Sequence, residues 1–295
     1  MPDFRASTTW SARLRDSWEL TKPSVTAMCV LMVVGGVAFA PESITTTTLV
    51  GVLVGTWMSV GSANALNMVF ERDTDALMTR TKNRPLPDGR MSVGAALTIG
   101  ICLGVVSLII LAFFVNGITA AIGCAALLSY VLIYTPLKTR TPLALIVGAF
   151  PGAAPPLMGW TAAMGNLDAP GVLLFAILLI WQIPHFLAIA LYRKSDYARA
   201  GIRTVPNVRG DRVAKAQALA YSTLLIPTSL ALVPLGYAGW IYGIAAAVSG
   251  GLLLAMNVQG MWVHHTARWA RRFFLATLAY LPVLTCALVM EAWIR

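Results

Sequence analysis

Long apolar runs separated by short polar breaks dominate this chain. Runs near residues 24–40, 47–68, 93–115, 118–135, 142–160, 170–191, 216–235, 239–262 and 273–292 carry almost no charge. Most are about the length a helix needs to cross a bilayer, roughly 17–25 residues; the first is short. Transmembrane strands would instead alternate apolar and polar positions in shorter segments. The pattern predicts an all-α, polytopic membrane protein with nine transmembrane helices. Residues 1–23 form a polar, basic, cytosolic N-terminal segment, and 24–295 a single transmembrane domain. A signal peptide ending at Ala38-Phe39-Ala40 is the competing reading of the start. The long polar lead and Pro41 argue against it.

Composition agrees: 58% of residues are hydrophobic, 12% are charged and the mean hydropathy is +0.73. A net charge of +10 would suggest nucleic acid in a soluble protein, but here the distribution explains it. With the N-terminus cytosolic, 21 of the 22 Lys and Arg residues fall in segments on the cytosolic side, and the last is Arg295. The opposite loops carry none. The positive-inside rule therefore gives a cytosolic N-terminus and an external C-terminus. Cys29, Cys102, Cys124 and Cys286 stand singly in apolar runs and suggest neither disulfides nor zinc.

The polar residues that such a chain would not carry idly gather at the cytosolic ends of the runs. Asn67, Glu71 and Asp75 follow one another at steps of four. On a helix each step turns about 400° and advances about 6 Å, which gives one slowly drifting stripe. An ionised carboxylate in a bilayer is costly, so two acids and an Asn at equal steps point to a bound cation. Asp73 lies off the stripe. Arg80, Lys82, Arg84 and Arg90 follow at once. Mg²⁺ takes one or two carboxylates and completes its shell with water and phosphate oxygens, and Arg and Lys neutralise what phosphate charge remains. With no GxxxxGK[ST] loop and no GxGxxG motif, a diphosphate on a membrane-soluble tail fits better than a nucleotide.

A second acid, Asp196, follows the sixth run in a similar setting of Arg, Thr and Pro. Between the fourth and fifth runs, Tyr134-Thr-Pro-Leu-Lys138 offers a ring face for positive charge and a base for a leaving group; interfacial anchoring is the plainer reading of either residue alone. His185 is the only histidine within a run. Pro184 beside it is expected to disrupt the helix, and Pro155 to Trp160 reads as a helix break with an interfacial aromatic. His264 and His265 lie at the cytosolic interface and carry no assigned role.

Taken together, these residues resemble the UbiA superfamily of intramembrane prenyltransferases, and its haem-modifying branch in particular. The matching stretches are Leu20–Val25 (LTKPSV), Asn67–Asp75 (NxxxExxxD), Arg80–Arg90 (RTKNRPLPDGR), Tyr134–Pro142, Gly148–Trp160, Trp181–Leu191 and Asp196–Ile202, in family order. The resemblance implies a bundle around a central cavity with a cytosolic cap. It implies Mg²⁺-dependent transfer of a farnesyl group from farnesyl diphosphate to a vinyl group of haem b, with water added. Asn67, Glu71 and Asp75 would form the first metal motif and Asp196 part of the second. Arg80, Arg84, Lys138 and Arg193 would bind diphosphate, Tyr134 would stand beside the developing cation, and His185 would contact haem. The setting implied is a bacterial inner membrane with the site facing the cytosol, and haem A synthase or a terminal oxidase as candidate partners.

Two positions depart from the family. Tyr192 stands where many members have the first Asp of a DxxxD motif, and Arg203-Thr204-Val205-Pro206 replaces the Pro-Met-Leu-Pro usual in the haem branch. A prenyltransferase for aromatic quinone precursors is the nearest alternative. A secondary transporter is a more distant one, which would place its acids near midspan.

Overall fold

The structure, a computed structural model, describes residues 9–294, apart from the side chains of residues 292 and 293. Arg5 and the rest of residues 1–8 of the N-terminal segment lie outside the described residues, as does Arg295.

Every regular element among the described residues is helical. In chain order they are α1 (Trp10–Leu20), α2 (Pro23–Phe39), α3 (Thr46–Phe70), α4 (Arg72–Ala76), α5 (Val93–Phe114) and α6 (Gly117–Leu128). A π-helical turn, Ser129–Tyr134, then leads into α7 (Thr135–Leu137). There follow α8 (Ala144–Met164), α9 (Ala169–Tyr192), α10 (Lys194–Arg199), α11 (Val205–Val208), α12 (Asp211–Leu230), α13 (Trp240–Gly260) and α14 (Thr266–Ile294). Each of the nine apolar runs thus contains a helix, but among the described residues only six helices are long and apolar enough to cross a membrane. These are α3, α5, the stretch Gly117–Leu137, α9, α13 and α14. The pair α1 and α2, bent by 50°, makes a seventh if taken as one broken span.

The chain forms two compact units, one of residues 1–167 with 199–202 and one of 168–198 with 203–295. In the first, α3 and α5 approach along small residues. Gly51, Gly55 and Ser59 recur at steps of four on α3, as Gly100 and Gly104 do on α5, the spacing that lets membrane helices close up. Two hydroxyls then bridge the pair: Ser62 Oγ donates to the Gly100 carbonyl and Ser107 Oγ to that of Gly55, both at 2.7 Å.

The pair α2 and α8 goes further, to backbone contact. A Cβ at Gly36 would lie 2.1 Å from the Pro156 carbonyl oxygen, and one at Gly159 would lie 2.1 Å from that of Val33. Helix α8 runs unbroken through Pro151, Pro155 and Pro156, so the expected break is absent. Membrane helices tolerate proline where neighbouring helices and local adjustment re-satisfy the freed carbonyls. Trp160 is buried against Phe39, ring centroids 5.7 Å apart, and is a core residue, not an interfacial one. Pro184 is likewise accommodated inside α9.

In the second unit, polar rungs join α9, α12, α13 and α14. Trp181 Nε1 donates to the Thr277 carbonyl at 2.8 Å, Asn257 Nδ2 to Ser222 Oγ at 2.8 Å, and Ser229 and Tyr280 share a bond of 2.7 Å. Buried Glu291 on α14 accepts from the amides of Gly239 (2.6 Å) and Ile241 (3.3 Å), capping the start of α13. A carboxylate there meets the orphan amides and the positive end of the helix dipole together.

Candidate active site

The step-of-four stripe is written into the backbone. The Glu71 amide donates to the Asn67 carbonyl at 2.9 Å, and the Asp75 amide to the Glu71 carbonyl at 2.7 Å. The three do not share one uninterrupted helix. Helix α3 ends at Phe70, and Glu71, at φ −94° and ψ 5°, is the joint between α3 and α4. The i→i−4 bonds carry across that joint, so helical spacing survives the kink.

Each of the three side chains meets its own base. Lys22 Nζ donates to Asn67 Oδ1 at 3.2 Å, Lys138 Nζ to Glu71 Oε1 at 2.7 Å, and an Arg84 guanidinium nitrogen to Asp75 Oδ2 at 2.6 Å. Asn67 and Asp75 are each 1% exposed. The other carboxylate oxygen of Asp75, Oδ1, is buried with no hydrogen-bond partner. Asp73, off the stripe, is exposed and paired with Arg72 at 3.0 Å. Arg80 is exposed on the loop that follows. Arg90 braces that loop: it pairs with buried Asp16 of α1, with Asp88 at 2.9 Å, and donates to the Asn83 carbonyl at 2.8 Å.

Burial would push the Glu71 carboxyl up. The charge and hydrogen bond of Lys138, with Lys22 nearby, outweigh it and hold the group below its ordinary value. For Lys138, burial works downward, but Tyr134, Glu71 and Tyr130 raise it above the usual ammonium value. Both groups are therefore ionised around neutrality.

Lys138 leaves α7 just after the π turn. Its ammonium sits 4.3 Å from the centroid of the Tyr134 ring and 5.9 Å from that of Tyr130. The π turn presents both tyrosines on one side, their centroids 5.1 Å apart. Single π turns inside helices often mark functional positions. The Tyr134 ring lies where a Cβ at Gly148 would be, 2.4 Å from Cε2, so only glycine at 148 leaves room for it.

In the second unit, His185 stacks on Trp181 at 4.7 Å and meets Phe274 at 4.9 Å. Its Nδ1 lies 2.8 Å from Thr277 Oγ1, whose own proton goes to the Phe274 carbonyl at 2.6 Å. Thr277 must therefore accept from Nδ1–H, which leaves the lone pair on Nε2. Asp196 is half-buried on α10. Arg193 is exposed, its guanidinium 5.2 Å from the Tyr192 ring, and Lys194 pairs with Asp211 at 2.7 Å.

The structure thus assembles Asn67, Glu71, Asp75, Arg84, Tyr134 and Lys138 within one unit, and carries Arg193, Asp196 and His185 in the other. Among the described residues no three His, Cys, Asp or Glu side chains cluster into an all-protein metal cage. The Glu71 and Asp75 carboxylates, the latter with its orphaned Oδ1, and the Asn67 amide oxygen are hard oxygen donors, the set from which Mg²⁺ takes a partial shell.

Two residues join this site that spacing did not single out. Lys22 is the one non-glycine residue with positive φ among those described, at φ 48° and ψ 65°. Such a conformation costs about 1–3 kcal/mol. It turns α1 away from α2 and is pinned by the Thr21 carbonyl, which accepts from Asn64 Nδ2 (3.2 Å) and Thr26 Oγ1 (2.8 Å). Its signals in the sequence were its place in the Leu20–Val25 stretch (LTKPSV) and its position directly before the proline that opens an apolar run. Thr135 accepts from Asn67 Nδ2 at 3.1 Å, and nothing in its spacing announced that.

A stripe of hard oxygen donors, a base matched to each and a π turn beneath a lysine gather at the end of a membrane helix, the chemistry that a metal–diphosphate group would need. The chain belongs to the UbiA prenyltransferase family, whose profile matches residues 28–278. It is 50% identical over 240 residues to the protohaem IX farnesyltransferase of Sorangium cellulosum, covering 81% of this chain and 86% of that one. It is 47% identical over 280 residues to that of Anaeromyxobacter dehalogenans, covering 95% of each. In fold it is similar to digeranylgeranylglyceryl phosphate synthase, with TM-score 0.82 and 17% identity over 95% of this chain and 99% of that one. It is also similar to a UbiA homologue from Archaeoglobus fulgidus bound to GPP and Mg²⁺, with TM-score 0.67 and 16% identity over 93% of this chain and 99% of the other.

Proposed function

We propose that this protein transfers a farnesyl group from farnesyl diphosphate to a vinyl group of haem b, with addition of water, giving haem O and diphosphate. The single observation that carries the reading is the base-matched stripe of Asn67, Glu71 and Asp75. Its support comes from the family match and from relatives named as protohaem IX farnesyltransferases over most of their length.

Asn67, Glu71 and Asp75 would hold Mg²⁺, with Asp196 contributing from the second motif. Mg²⁺, when bound, neutralises the diphosphate as the allylic C–O bond ionises. Arg80, Arg84, Lys138 and Arg193 take up the rest of that charge. Lys138 has two partners to exchange. Moving its ammonium from Glu71 to the diphosphate frees the carboxylate for the cation, and the same motion uncovers the Tyr134 ring face for the allylic cation. The vinyl carbon of haem then forms the new C–C bond, and water captures the resulting cation with loss of a proton. Apolar surroundings protect the allylic cation from earlier capture. His185, with its lone pair fixed on Nε2 by Thr277, would contact the haem.

The nine crossings, the cytosolic N-terminus, the external C-terminus and a cytosolic cap are part of this reading, supported by the helix within each apolar run and the one-sided basic loops. We read residues 24–295 as one transmembrane domain behind a cytosolic segment, 1–23. A bacterial inner membrane is the setting, and haem A synthase or a terminal oxidase the candidate partner. Glu71 and Asp75 lie past the end of α3, not at midspan, which speaks against a transporter.

Radiolabelled farnesyl diphosphate offered with haem b or with hydroxybenzoate tests the acceptor. Label should pass to the porphyrin alone. Transfer to the benzoate alone would overturn the haem assignment and keep the reaction class.

A further inference from the structure

An asparagine serves a cation through its oxygen only, so a site that uses one must fix which way the amide faces. Around Asn67 that choice is made twice. Thr135, 5% exposed, has a single hydroxyl proton, and it goes to the Tyr130 carbonyl at 2.8 Å. A carbonyl only accepts, so toward Asn67 Nδ2, at 3.1 Å, the Thr135 oxygen must be the acceptor. On the other side of the amide Lys22 Nζ donates to Oδ1 at 3.2 Å, and an amide oxygen can only accept.

The π turn makes this arrangement possible. The Thr135 amide reaches back five residues to the Tyr130 carbonyl, so the amide and hydroxyl of Thr135 both end on one oxygen. Pro136, next in the chain, has no N–H to contribute. Thr135 is thereby held rigidly with its lone pairs toward α3.

We propose that Thr135 is a positioning residue for Asn67. It holds the amide so that Oδ1, and not the NH₂ group, faces the cation, linking the Tyr134–Lys138 segment to the first metal motif. The proposal rests on the reading of Asn67 as a cation ligand. Removing the hydroxyl acceptor leaves Nδ2 with only the Glu71 carboxylate beside it, an acceptor that a bound cation would compete for, and lets the amide turn its donor toward the metal.

The test is Mn²⁺ binding to the full-length protein in lipid nanodiscs, followed by electron paramagnetic resonance without substrate. Partners that orient metal ligands are typically worth about 10–100-fold in affinity. T135V should weaken Mn²⁺ binding at least about 10-fold, and T135S should restore it. The decisive comparison uses N67D, whose carboxylate presents an oxygen whichever way it turns. In the N67D background T135V should cost nothing further, a non-additivity expected only of groups acting through one another. An equal loss in both backgrounds would mean that Thr135 is merely structural, and would overturn the proposal. Wild-type affinity in T135V, with N67A weakened, would overturn it as well. Wild-type affinity in N67A would instead overturn the ligand reading on which it stands. T135A provides the same comparison should T135V not fold.

Discussion

Lys138 and Glu71 meet at 2.7 Å across 67 residues of sequence, with the lysine also lying 4.3 Å from the Tyr134 ring centroid. Both side chains are mostly enclosed, so neither tolerates loss of the other. Breaking a buried pair costs about 3–5 kcal/mol because it strands a charge. K138M should therefore lower stability by roughly 3 kcal/mol, read from thermal unfolding in detergent. The double variant K138M/E71Q should recover most of that loss while remaining inactive.

The same pair sets a pH window. Glu71 is held below its ordinary value, so its contribution is complete above the unfolded carboxylate value, about 4.3. That contribution is lost as pH falls through the lower folded value. Lys138 is raised, so its contribution is complete below about 10.4 and is lost as pH rises through the higher folded value. Stability from this pair should be flat from roughly pH 6 to 9. In E71Q, the acid limb of a stability-versus-pH curve should become shallower.

Asp75 offers one oxygen to Arg84 and keeps the other buried and unpaired. D75N preserves shape but removes the charge that faces a cation. Turnover dependent on Mg²⁺ should fall at least about 100-fold while the protein still inserts, at some cost in stability from the Arg84 charge left unpaired. Turnover unchanged from wild type would contradict the assignment.

His185 has its Nδ1 committed to Thr277. H185A should weaken haem b binding, measured by Soret titration, and leave farnesyl diphosphate affinity unchanged. Equal haem affinity in the variant would remove His185 from the haem site.

The backbone contact between α2 and α8 predicts a contrast between two glycines. G159A places a methyl against the Val33 carbonyl and should cost about 1–3 kcal/mol through overpacking. G35A meets nothing within 4 Å and should be neutral or stabilising by up to about 1 kcal/mol. Thermal unfolding of the two variants side by side gives the answer.

Much of this was legible in the chain because the bilayer imposes a blunt constraint. Apolar run length located every long helix, and the step of four located Asn67, Glu71 and Asp75. What stayed hidden depends on contacts between distant segments. Trp160 reads as interfacial from its flanking prolines, yet Gly36 and Gly159 let α2 bury it. The stripe looks like one helix, whereas Glu71 is a joint whose spacing is kept by two backbone bonds. Lys22 and Thr135 enter the site through a left-handed residue and a π turn, and neither conformation has a periodicity that sequence could reveal.

The central claim is most directly tested by mass spectrometry of pigment extracted after incubating the purified protein with haem b, farnesyl diphosphate and Mg²⁺ in heavy-oxygen water. The account predicts a porphyrin that has gained one farnesyl group and one hydroxyl bearing the heavy oxygen, absent in D75N. Recovery of unmodified haem b, while farnesyl diphosphate is consumed on an aromatic acid supplied in its place, would contradict it.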